Sequence, residues 1–61
     1  MPDVRPWRPA NGWALAEVAA DHGWPFLEIP GGTVALADNG VIYVEGAVYG
    51  AVLDEAVKML G

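Results

Sequence analysis

Beyond residue 22 the chain is interrupted at short intervals by turn-forming groups: His22-Gly23-Trp24-Pro25, Pro30-Gly31-Gly32, Asp38-Asn39-Gly40 and Gly46. The segments between them, PFLEI, TVALA and VIYVE, are too short for helices and rich in β-branched and aromatic residues, which suit a pleated surface. This punctuation predicts three strands joined by tight turns, an antiparallel meander.

Side-chain alternation selects the register of the second turn, because a one-residue slip moves every side chain to the other face. A two-residue Asn-Gly loop would mix Asp38 and Glu45 with Val34, Leu36, Val41 and Tyr43. A turn over Asp38-Asn39 with Gly40 as a left-handed bulge pairs Ala37 with Val41 and collects Val34, Leu36, Ile42 and Val44 on one face. Leu27 and Ile29 join that aliphatic face. The reverse face then holds Thr33, Ala35, Ala37, Val41, Tyr43 and Glu45. It is still largely apolar, and Ala35, Ala37, Val41 and Tyr43 are expected to form a partner surface.

Helical spacing appears on both sides of the meander. Leu15, Val18, Ala19 and His22 follow i, i+3, i+4, i+7, with Asn11 as the candidate cap and Gly23 then Pro25 as the stop, which predicts a helix over 12–22. Trp24 is expected to fold back on Val18 or Ala19. Residues 48–60 place Tyr49, Val52, Leu53, Ala56 and Leu60 at helical spacing, with Asp54 and Lys58 as an i, i+4 pair. An alternative start lies near Gly50, with Ala47-Val48-Tyr49 as a fourth short strand. The expected fold is α+β: a helix, a three-stranded antiparallel meander and a second helix over 11–61, with both helices against the aliphatic face.

Residues 1–10, MPDVRPWRPA, read as an extended N-terminal arm, because Pro2, Pro6 and Pro9 lack a backbone donor and push their predecessors to extended geometry. Arg5 and Arg8 are two of the chain's three bases and flank Trp7. Two roles fit: a recognition segment using Arg5, Trp7 and Arg8, or a lid with Trp7 covering apolar surface of its own domain. The first ten residues hold no apolar run of the kind that opens a secretory signal, and no stretch approaches the ~18 apolar residues that span a bilayer. A cytoplasmic protein without membrane association is expected.

Composition limits the chemistry. There is no Ser, Cys or Gln, one Thr, one Lys and one His. Little remains from which to build an activated nucleophile or a thiolate metal site, so no enzymatic activity, cofactor or metal is expected. His22 is the one imidazole, but a cation or donor in the last turn of a helix ordinarily serves the exposed carbonyls. Glu17 and Asp21, four apart, place two carboxylates side by side on a helix face, suited to docking a basic partner and too few for a divalent ion. Pro30-Gly31-Gly32-Thr33 leads into a strand and lacks the spacing of a phosphate loop.

A formal charge of −5 argues against unaided binding to nucleic acid. In 61 residues without a disulfide, apolar burial and the entropy of ordering the chain nearly cancel, and 54% of the residues are hydrophobic. The surplus predicts a homodimer or an obligate protein partner. The expected function is therefore a small acidic interaction module, an adaptor, inhibitor or regulatory subunit, with a composition that suits a bacteriophage or mobile element. A nucleic-acid-associated regulator, or an acidic inhibitor of a nucleic-acid-binding protein, is the alternative.

Overall fold

The computed structural model describes residues 3–8 and 12–61. In chain order the elements are β1 (Asp3–Pro6), α1 (Leu15–His22), β2 (Phe26–Ile29), β3 (Gly32–Leu36), β4 (Val41–Gly46) and α2 (Gly50–Leu60). The strands form one mixed sheet in the order β1-β4-β3-β2. The β2–β3–β4 portion is the antiparallel meander, and the expected register holds, with Val34 opposite Val44 and Leu36 opposite Ile42. Gly40 takes φ 87°, and the Ala37 N–H donates to the Val41 carbonyl at 2.8 Å.

The three-stranded arrangement is corrected by β1, which pairs parallel to β4 from Asp3↔Val41 to Pro6↔Val44. The fourth strand thus comes from the arm. Residues 47–49 are not a strand, and α2 begins at Gly50. An extended, proline-bearing segment suits an edge. The Trp7 N–H donates to the Val44 carbonyl at 2.8 Å, so alternation turns Pro6, with no N–H to offer, to the open side where no ladder bond is lost.

The two helices lie on opposite faces of the sheet. Val34 and Ile42 pack with Ala56 of α2, whereas Ala35 packs with Leu15 and Ala19 of α1, and adjacent strand residues point to opposite sides. This overturns the expectation of both helices on the aliphatic face. β1 and β2 run parallel at the two edges of the sheet, and α1, which connects them, must cross one face. It takes the alanine-rich face, where Ala35 and Ala19 let helix and sheet approach closely, and both are completely buried.

α1 is shorter than its spacing suggests, starting at Leu15 rather than residue 12. Asn11, its expected cap, lies outside the described residues. The C-terminal stop is as expected: Gly23 is left-handed, its N–H donates to the Ala20 carbonyl, and the Trp24 N–H donates to the Ala19 carbonyl at 2.8 Å. Trp24 packs against the cluster containing Ala19. At the other end of the sheet, Gly32 and Gly46 face each other across β3 and β4. A Cβ on Gly32 would collide with the Glu45 carbonyl oxygen and one on Gly46 with the Gly31 carbonyl oxygen, so only glycine permits this crossing.

Candidate functional site

The sheet face beneath α1 is closed by aromatic side chains. Tyr43 projects from β4; Trp7 meets it edge-on with ring centroids 5.3 Å apart, and Trp24 stacks on it at 6.0 Å. His22 lies 4.6 Å from Trp24. The His22 Nδ1 is 2.8 Å from the Val18 carbonyl oxygen, which can only accept, so this nitrogen carries the proton and serves the last turn of α1. The Trp24 indole N–H is buried and finds no hydrogen-bond partner among the described residues.

The residues expected to bind a partner do not share one surface. Ala35 is buried beneath α1, which occupies the face on which an open patch was expected, and Ala37 is buried as well. Val41 and Tyr43 are half-buried, whereas Glu17 and Asp21 are exposed on α1. Arg5 stands beside Tyr43 in the β1–β4 register, is exposed, and its Nε donates to Asp3 Oδ2 at 3.1 Å. Arg8 is exposed. Trp7 is half-buried against Leu15, Ala19 and Ala35, with its Nε1 3.5 Å from the Trp13 carbonyl oxygen. It covers its own domain, the arrangement of a lid.

Glu45 has a role that local spacing does not show. The N-cap of α1 is Ala14, which has no side-chain oxygen, and the Leu15 N–H instead donates to Glu45 Oε2 at 3.3 Å. A carboxylate from β4 thereby satisfies an amide at the positive end of the helix. The only sequence signal for it is the placement of Glu45 on the reverse face.

The opposite face is covered only in part. α2 rests on β3 and β2. A groove of about 280 Å³ remains between the β1–β4 edge and the start of α2, lined by residues that include Val4, Pro6, Val44, Val48, Tyr49 and Leu53. Tyr49 is 75% exposed and Val4 41%. Tyr49 supplies a polar side chain to this lining; none of its residues is a carboxylate, an imidazole or an aliphatic alcohol. Residue spacing does not show the groove, because Val4 falls in the extended N-terminal arm and Val44 on the aliphatic face expected to be covered by both helices.

Among the described residues no cluster of His, Asp or Glu is arranged to hold a metal ion, and no helix is long and apolar enough to cross a membrane. Comparison with protein-family models, curated proteins and solved structures returns no match. The class of the molecule is therefore stated from its own geometry: a mixed four-stranded sheet between two helices, with an open apolar groove on one side.

Proposed function

We propose that the chain is a small, non-enzymatic protein-interaction module, an adaptor, inhibitor or regulatory subunit that offers an apolar surface to another polypeptide. The observation that carries this reading is the groove between β1 and α2, where the aliphatic face of the sheet stays open and Val4 and Tyr49 are exposed beside it. Groups of this kind bind by excluding water from apolar side chains and supply little for acid–base or nucleophilic chemistry. Charge points the same way. With three bases against eight acids, little cationic surface is available for a phosphate backbone.

The test is cross-linking in extracts of the native host, followed by capture of the full chain and mapping of the linked residues. Tyr49→Asp places a charge at the groove while supplying a good N-cap for α2, which has none of its own, so the helix is retained. The expected result is a protein linked at the groove, another polypeptide or a second copy, and reduced about tenfold by Tyr49→Asp but not by Glu17→Lys on α1. Links confined to α1, or none at all, refute the reading. Duplex DNA binding that survives about 0.15 M salt replaces it with a nucleic-acid role.

A further inference from the structure

The two edges of the sheet are finished differently. On β1, alternation sends the backbone groups of Val4 and Pro6 outward, and Pro6 has no N–H to offer. On β2, the Leu36 N–H donates to the Pro25 carbonyl at 3.0 Å, and the register pairs Leu27 with Val34 and Ile29 with Gly32. Residues 25, 27 and 29 therefore turn their backbone groups to β3, and Phe26 and Glu28 turn theirs away from the sheet. No strand lies beyond β2 among the described residues. The N–H and C=O groups of Phe26 and Glu28 stand there in line with no proline between them, a ready template for another strand. We infer that a second copy of the chain pairs with this edge, the two β2 strands running antiparallel about a twofold axis at Leu27.

Backbone hydrogen bonding selects the register. With Phe26 opposite Glu28 of the second copy, the pair exchanges both of its N–H···O bonds, and the axis repeats it, so every outward group of the two residues is used. Sliding by two residues sets Phe26 against Phe26 or Glu28 against Glu28. The first slide directs Glu28 to Trp24, whose N–H is already given to the Ala19 carbonyl. The second places two carboxylates directly opposite and directs Phe26 to Pro30, which has no N–H. In the selected register the two Glu28 residues are offset by two positions along the strands, about 7 Å. Leu27 meets Leu27 of the second copy in the close, non-hydrogen-bonded pair on the opposite face. α2 rests on β2 as well as β3, so a helix of each copy flanks that contact.

β2 has 4 residues, so the seam is a short run of backbone bonds with few side chains. Association is accordingly weak and reversible, with a dissociation constant between micromolar and millimolar. The groove lies at the opposite edge of the sheet, so this pairing leaves it open and is independent of what occupies it.

The experiment is amide hydrogen exchange of the full chain, followed residue by residue from micromolar to millimolar concentration, with sedimentation equilibrium alongside. The Phe26 and Glu28 amides are expected to exchange about tenfold more slowly as the dimer forms, whereas the outward amide of Val4 on β1 is unchanged. Glu28→Pro removes an outward N–H without touching a bond to β3, reproducing on β2 what Pro6 does on β1. It is expected to abolish association with the thermal melt of the monomer retained. Phe26→Lys keeps the backbone intact and sets a lysine opposite Glu28 of the second copy at both ends of the seam, tightening association about threefold at low salt. Weakening by Phe26→Lys overturns the pairing, as do Phe26 and Glu28 amides that exchange at one rate at every concentration. Self-association that protects other amides instead overturns it too. So does a strand of another protein on β2 while the chain itself stays monomeric at millimolar concentration.

Discussion

Glu45 shows how one side chain can serve two elements. Its backbone belongs to β4, and its carboxylate receives the Leu15 amide of α1, thirty positions earlier in the chain. A helix start without a capping side chain leaves amides that must otherwise be satisfied by water, and a cap is worth roughly 1 kcal/mol. Glu45→Ala should therefore destabilise the fold by about 1 kcal/mol, with about half that loss for Glu45→Gln, which keeps an acceptor but not the charge. Urea unfolding measures the loss, and hydrogen exchange should quicken first at the amides of the first α1 turn. Equal stability of all three chains would show that this contact contributes nothing. Residue types alone offered no route to the pairing, because a cap supplied from a strand has no fixed spacing from the helix it serves. His22 and Gly23 were legible for the opposite reason: their partners at Val18, Ala19 and Ala20 lie within five positions.

At the level of elements, the β3–β4 pair depends on glycine at the end away from its connecting turn. Gly46 has φ 93° and its missing Cβ makes room for the Gly31 carbonyl, whereas Gly40 has φ 87° in the open turn with nothing within 4 Å. The two positions therefore separate strain from collision. Gly40→Ala should cost about 1 kcal/mol, the ordinary penalty of a left-handed side chain, and Gly46→Ala more than about 2 kcal/mol because backbone must also shift. Chemical denaturation of the two variants checks the difference, and a Gly46 variant no worse than the Gly40 variant would contradict the close approach. The sequence announced both turns. It did not announce the crossing, which exists only once Gly32 and Gly46 are paired. On the exposed surface of α2, Lys58 lies 3.9 Å from Glu55, three positions away, in place of the expected pairing with Asp54.

For the whole molecule, β1 is the element on which the balance turns. It closes the sheet beside β4, brings Trp7 onto Tyr43, and forms one wall of the groove through Val4 and Pro6. Removing residues 1–8 should therefore lower stability by about 2 kcal/mol or more, a fall in Tm of roughly 8–16 °C for a domain this small. Differential scanning calorimetry measures it. A melt within a few degrees of the full chain would mean that the arm is an appendage with no structural part.

The three strands of the meander, their register, the C-terminal stop of α1 and the aliphatic character of one sheet face were legible in the order of residues. Turns, caps and alternation act over a few positions, and their physics is local. The joining of β1 to β4, the division of the helices between the two faces, the Glu45 cap and the groove beside Tyr49 were not. Each depends on which distant segments fill the same space, and the alanine-rich face read as open surface until a crossover helix from the far edge of the sheet was laid across it.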